Sequence, residues 1–433
     1  MRRPVIVVFL AMIMLSVMLP SSVFGGNKKD RVRYEEKYRD PVLKSMREEC
    51  DSIRAIADSI TAAIDKKYKE MEDQEKNDRK VIRFDFSGLK KPDGPEAFGA
   101  PFHFPPVPQY LTGTCWCFCT TSFMESEIKR LTGREIKLSE IYTVYWEFVE
   151  KARGFIRKRG HQPFVQGAES DGVFIIWEKY GVVPADAFSG LRKYDKHNHN
   201  LMRSEMKAYL DMIADKGYWD EEENLIHIRA ILDRYLGTPP ERFEFEGQEM
   251  TPLRFYRDIL KVDPDDYVQF ISTLSSPFYQ IVKFDVPDNW RPTDTYLNIP
   301  LDEFYSGIKI AAKNGFTVCI GGDVSEPGYY GPEDAAIVPS FDIPGDHIDQ
   351  DSRELRIYTR ETDDDHCVHL VGYKNHGGRD WFLIKDSARA SRHGKHHGYI
   401  FYRDDYIKLK MLSYTVHRNA VPKILKKIDS KGE

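Results

Sequence analysis

The chain has 433 residues, a formal net charge of −5 and 13% aromatic side chains. That length allows two or three domains, or one large domain carrying insertions. The basic residues are scattered instead of gathered in a patch, which disfavours nucleic acid as a partner.

Met1-Arg2-Arg3 opens the chain, an apolar run follows from Val5 to Leu19, and Pro20-Ser21-Ser22-Val23-Phe24-Gly25 closes the segment. A charged start, a short apolar stretch and small residues form the pattern of a secretory signal peptide, with cleavage expected after Gly25. The run is shorter than the 18 or more residues a spanning helix usually needs. The sequence thus predicts an exported chain, periplasmic or extracellular, with no membrane association after signal cleavage.

Residues 26–95 form a charged extension. Leu43, Met46, Ile53, Ile56, Ile60 and Ile64 recur at helical spacing with Lys and Glu between them, which predicts an amphipathic helix or helical hairpin. It is read as a helical extension packed on the main domain, or as a pro-segment covering a groove. Residues 89–108 are rich in Pro and Gly and read as an extended lead-in.

Gln109-Tyr110-Leu111-Thr112-Gly113-Thr114-Cys115-Trp116 follows, and a helical pattern begins at the cysteine and ends near Gly133. A cysteine at a helix start sits where backbone N–H groups and the helix dipole favour an anion. The Gln109 side chain offers an amide N–H to a developing oxyanion, beside the N–H of Cys115 itself. Further helices are expected from Glu140 to about Arg159, over Gly172–Tyr180 and over residues 300–315. A helical insertion is expected over about 190–285, and a buried strand over Phe316–Ile320. Trp116 reads as core packing beside the cysteine.

A base must come from far downstream. Asp363-Asp364-Asp365-His366-Cys367-Val368-His369-Leu370-Val371-Gly372 reads as an acidic loop, a histidine and a buried strand. A turn and a second strand through Ile384-Lys385-Asp386-Ser387 follow, then a third strand over Gly398–Tyr402. Such a hairpin sets His366 at one strand's start and Asp386 at the next strand's end, where the carboxylate can fix the imidazole tautomer. His369, three positions on, is expected to face the other side of the sheet. The acidic run before His366 reads as a solvated loop or as a clamp for a substrate's free amine. Asp323 and Glu326 read as subsite or turn-capping groups. His393, His396 and His397 sit in a solvated loop and are not read as metal ligands.

These segments resemble the papain-like cysteine peptidases, and more closely their bleomycin-hydrolase and aminopeptidase C branch. Gln109 with Cys115-Trp116, His366 with Gly372-Tyr373, and Ile384-Lys385-Asp386-Ser387 match the family's three motifs in order. Gly113-Thr114-Cys115-Trp116, Tyr180-Gly181-Val182-Val183-Pro184 and Gly321-Gly322-Asp323-Val324-Ser325-Glu326-Pro327-Gly328 resemble the bacterial branch. The resemblance covers roughly residues 96–418 and leaves a basic tail over 419–433. It implies an α+β fold of a helical lobe and a β-barrel-like lobe, with the cleft between them. It also implies a peptidase acting on peptide or protein substrates without a cofactor or metal. Cys115 is then the nucleophile, His366 the general acid/base, Asp386 its orienting residue and Gln109 the oxyanion donor. The family's usual Asn is Asp386 here, and the tryptophan that shields that position in papain is missing. Thr112 stands where papain has a disulfide-forming cysteine. These departures leave two alternatives, a catalytically silent papain-like binding protein and a transglutaminase-like acyl transferase. Of the six cysteines, Cys119, Cys319 and Cys367 read as buried thiols and no disulfide is expected.

Overall fold

The structure, a computed structural model, describes residues 33–34, 36–37, 39–192, 195–291 and 293–430. The signal-peptide segment lies outside them. The chain divides into two compact units, one up to Val81 and one from Ile82 onward.

In the first unit, helix α1 (Pro41–Asp78) is one uninterrupted helix, not a hairpin. The Asp40 side chain caps it, accepting from the Val42 and Leu43 N–H groups, and Pro41 takes the first turn, where its missing N–H costs nothing. Its apolar stripe buries no residue. Local forces therefore hold it: helix propensity and pairs one turn apart such as Lys44–Glu48 and Glu72–Lys76.

The second unit opens with Phe86 and Phe98, which pack against Trp381, Leu383 and Phe401. Residues 82–95 thus belong to this unit rather than to the helical extension, because their aromatic rings are buried. Helix α2 (Cys115–Thr132) follows and is buried from Cys115 to Ile128. Around it lie α3 (Glu140–Arg157) and α4 (Asp171–Tyr180), then the packed pair α5 (Asn200–Lys216) and α6 (Glu221–Leu236). Met202, Met206 and Leu210 of α5 and Leu225, Ile228 and Leu232 of α6 join one core with α2 and α3.

The helical run ends sooner than the sequence suggests. After a hairpin of β1 (Phe243–Phe245) and β2 (Gln248–Met250), the short helix α7 (Pro252–Arg254) widens into a π-turn, Phe255–Leu260. Strands β3 (Tyr267–Ile271), β4 (Ile281–Lys283) and β5 (Asp294–Asn298) then enter the main sheet. The second half of residues 190–285 is therefore not wholly an insertion, since β3 pairs with the sheet's central strands. Helix α8 (Leu301–Lys313), β6 (Val318–Gly322), β7 (Tyr329–Tyr330), β8 (Ala335–Ala336) and α9 (Gln350–Thr359) come next. The chain closes with β9 (His366–His376), β10 (Arg379–Lys385), β11 (Tyr399–Arg403), α10 (Asp404–Lys410), β12 (Met411–His417) and α11 (Pro422–Asp429). The expected basic tail is thus a docked helix, with Ile424 and Ile428 buried.

The main sheet has the order β4-β5-β3-β12-β6-β9-β10-β11-β8-β7. Strands β9 and β10 are joined by Gly377-Gly378, both at positive φ (59° and 80°), the two-residue turn whose twist suits a hairpin. Side chains alternate across β6 and β9. Val318, Ile320, Val368 and Leu370 enter the core under α8, and Cys319, Cys367 and His369 turn to α2. The sheet is thereby covered on both faces, with α2 lying over β6 and β9 and its first residue at the end of β9 where His366 begins.

Candidate active site

Thr114 is the N-cap of α2 and offers no side-chain hydrogen bond to the helix, so it leaves the first-turn N–H groups uncapped by a side chain. Cys115 is the first helical residue and lines one recess with His366. The imidazole is fixed: His366 Nε2 lies 2.7 Å from Asp386 Oδ1. Asp386 is 1% exposed, and three groups feed its carboxylate. These are the imidazole, the Ala388 N–H on Oδ1 at 2.9 Å and the Tyr329 hydroxyl on Oδ2 at 3.0 Å. Burial alone would raise the acid; the charge of His366 and these donors hold it below the ordinary carboxylate range. Burial likewise opposes charge on His366, but Asp386 and then Cys115 outweigh it and hold the imidazole well above its usual value.

Gln109 is buried and held at three points. Its N–H donates to the Ser387 carbonyl at 2.9 Å, its Oε1 accepts from the Ser387 hydroxyl at 2.7 Å, and Nε2 donates to the Thr112 carbonyl at 2.7 Å. An amide nitrogen carries two hydrogens, so one remains for an incoming oxyanion. All four sequence-derived residues therefore lie in one neighbourhood: Gln109 is tied to the residue after Asp386, and Asp386 to His366, which reaches Cys115.

His369 departs from expectation. It does not face away from the site: its Nδ1 lies 2.8 Å from Ser122 Oγ on the same helix that carries Cys115. Both histidines thus lie toward the helix that carries Cys115, His366 in one recess with Cys115 and His369 at Ser122. Burial, then the charge of Lys385, keeps His369 well below its ordinary value, and so neutral. Asp323 and Asp365 cap turns, accepting from the Ser325 N–H and the Val324 N–H respectively, and Glu326 pairs with Lys410. Trp116 is 1% exposed and packs in the helical core.

Several residues escaped sequence reasoning. Tyr329 and Ser387 act through contacts that no local spacing announces. Lys151 is buried beneath the cysteine loop and donates to the Gln166 and Gly167 carbonyls, and burial pulls its pKa down to about 8. Gln166 in turn accepts the Gly113 N–H at 3.1 Å, which braces the turn before Cys115. Cys119, Cys319 and Cys367, read as separate buried thiols, converge: Cys319 Sγ lies 3.2 Å from Cys119 Sγ and 3.4 Å from Cys367 Sγ.

With this geometry in place, residues 105–432 match the family model described as "Peptidase C1-like family". The chain belongs to that family. Among curated C1-like relatives, aminopeptidase C of Streptococcus thermophilus is 25% identical over 260 residues, 50% of this chain and 58% of that protein. The chain thus spans little more than half the length of that relative. Bleomycin hydrolase of Mus musculus is 22% identical over 370 residues, covering 73% of this chain and 81% of that one. A crystal structure of PepW from Lactobacillus rhamnosis HN001 matches with a TM-score of 0.63 at 18% identity, over 92% of this chain and 96% of that chain. That likeness shows the fold, and the papain-like α+β expectation holds.

Proposed function

We propose that this chain is a cysteine peptidase that hydrolyses peptide bonds through an acyl-enzyme. The observation that carries the reading is the Asp386–His366 pair delivered to Cys115 at the start of α2. His366, whose protonated form Asp386 stabilises, takes the thiol proton of Cys115 and gives an ion pair. The sulfur attacks the scissile carbonyl carbon, and the oxyanion accepts from the Cys115 N–H and the free Gln109 amide hydrogen. His366 then protonates the leaving amine, the C–N bond breaks, and a thioester remains. Water, deprotonated by His366, adds to the thioester; the C–S bond breaks, the carboxylic acid leaves, and the ion pair is restored. The names of the relatives, aminopeptidase C and bleomycin hydrolase, support peptide chemistry. No redox or electron-transfer step enters this scheme.

The same reading includes export, supported by the Met1 to Gly25 pattern of charge, apolar run and small residues. Among the described residues no helix is long and apolar enough to cross a membrane.

The test is an epoxide inhibitor of cysteine peptidases, with the adduct mapped by mass spectrometry in the wild type and in Cys115→Ala. A single adduct on Cys115, absent from the variant, is expected, together with peptide cleavage lost in Cys115→Ala. A folded, reduced protein that stays unlabelled would replace the peptidase by a silent binding protein.

A further inference from the structure

Three thiols that the proposed mechanism does not use meet between α2 and the sheet. Cys319 Sγ stands 3.2 Å from Cys119 Sγ and 3.4 Å from Cys367 Sγ, and all three sulfurs lie within 4.8 Å of one another. Each comes from a different element: Cys119 from α2, Cys319 from β6 and Cys367 from β9. Cys119 and Cys319 are 200 residues apart in the chain, and Cys319 and Cys367 are 48 apart. Their convergence is therefore a property of the fold and not of local sequence. Among the described residues they are the one group of three His, Cys, Asp or Glu side chains placed closely enough to share an ion.

The surroundings suit a cation. All three are free thiols, and Cys119 and Cys319 are buried. The Thr120 hydroxyl lies 3.5 Å from Cys319 Sγ. Burial opposes a thiolate at Cys319, but the contacts of Cys119, then Cys367 and Thr120, outweigh it and hold this thiol well below its ordinary value. The group is thus built around one sulfur anion that its neighbours serve only with weak donors. An anion so buried is costly unless a positive charge completes it.

The ligand set narrows the choice of ion. Thiolates select soft metals. Structural zinc takes four protein ligands, and this group offers three. A low-dielectric pocket also penalises a second charge. Both arguments favour a soft, singly charged ion that accepts three sulfurs, which describes copper(I). Three sulfurs bonded to one ion at about 2.3 Å stand about 4 Å apart. Small side-chain turns bring these thiols to that spacing, and two recesses of about 10 Å³ give them room to part. Cys119 and Cys367 line one with Lys385, whose amine can offset thiolate charge, and Cys319 and Cys367 line the other.

We propose that Cys119, Cys319 and Cys367 form a buried site for one copper(I) ion. Binding releases the thiol protons to solvent and changes no oxidation state. The bound ion ties α2 to β6 and β9, one helical turn from Cys115 and one residue from His366. It stands apart from the peptide chemistry, and its test does not use that chemistry.

The experiment uses the full chain carrying Cys50→Ser and Cys115→Ala, so that neither the exposed thiol nor the proposed nucleophile contributes. This protein is dialysed without oxygen against copper(I) held by bicinchoninate, and the retained copper is measured against protein. One ion per chain is expected, with a thiolate-to-copper charge-transfer band in the ultraviolet and three sulfur neighbours by X-ray absorption. Adding Cys319→Ala should weaken retention by about tenfold or more. Adding Cys117→Ala, which removes another buried thiol of α2, should leave it unchanged. Copper should also raise the thermal midpoint of the starting protein and not that of the Cys319→Ala protein. Circular dichroism reports whether each variant folds; should Cys319→Ala not fold, the less buried Cys367→Ala makes the same comparison. No retained copper, equal retention in a folded variant lacking Cys319 or Cys367, or displacement of the ion by an equal concentration of zinc would overturn the site. Cys115 is absent throughout, so failure here leaves the peptidase reading standing, and an inert Cys115 in the epoxide test leaves this site standing.

Discussion

Tyr329 donates its hydroxyl to Asp386 at 3.0 Å, on the oxygen that His366 leaves free. Where papain shields this position with a tryptophan, a tyrosine from the short strand β7 serves the buried carboxylate here. Tyr329→Phe removes one donor from a buried charge, an interaction of the kind worth about 1.5–3 kcal/mol. The Asp386 carboxyl, held down partly by that bond, should then titrate at higher pH. The acid limb of the kcat/KM profile is expected to move upward, with activity near neutrality reduced up to about tenfold. An acid limb that does not move would separate Tyr329 from the site.

Replacing Asp386 by Asn acts on the other limb. The charge of Asp386 is the leading cause holding the His366 imidazole above its ordinary value against burial. With an amide in its place the imidazolium loses its proton earlier, so the alkaline limb should fall at lower pH. The stability consequence has the same sign. A raised histidine pKa stabilises the fold fully below the unfolded value and loses that contribution as pH rises through the folded value. The thermal penalty of Asp386→Asn should therefore shrink toward alkaline pH; a constant penalty would point to packing alone.

Gln109→Ala should leave the fold and the ion pair in place while removing one oxyanion donor. Losses of about 10²–10³ in kcat are usual for such a donor. Burst kinetics would place the loss in the chemical steps, and Cys115 should still alkylate at the wild-type rate. Slower alkylation would mean that Gln109 positions the nucleophile instead.

The thiols other than the buried Cys115, which the proposed mechanism makes reactive, should sort by burial. Cys50 is exposed on α1, while Cys117, Cys119 and Cys319 are buried. Burial raises the Cys117 and Cys119 thiols further. Brief iodoacetamide treatment of the folded protein is expected to modify Cys50 and Cys115, and to reach Cys117, Cys119 and Cys319 only after denaturation. Native labelling of Cys319 at a comparable rate would show that the helical lobe opens readily.

The places where sequence sufficed share a physical basis. The helix starting at Cys115, the strand starting at His366 and the hairpin turning at Gly377-Gly378 are short-range patterns whose periods and breakers lie within a dozen residues. What stayed hidden depends on distant segments meeting. Nothing near Tyr329 marks it as a partner of Asp386, and nothing near Cys319 pairs it with Cys119. The strand Tyr267–Ile271 lay unseen inside a stretch otherwise rich in helices, because five residues give too little alternation to outweigh their surroundings. Helical structure over α1 was legible as periodicity, but periodicity left one helix and a hairpin both open and said nothing about whether the apolar stripe is buried.

Ser387 touches Gln109 twice, through its carbonyl and through its hydroxyl, and the residue before it holds the His366 imidazole. Two contacts that the proposed mechanism uses thus hang from adjoining peptide planes at one strand terminus. A rotation of a single peptide there would swing the anchor of His366 and the seat of Gln109 together. A substitution at Ser387 that turns its peptide is then expected to disturb the Gln109 and His366 contacts together, not one at a time.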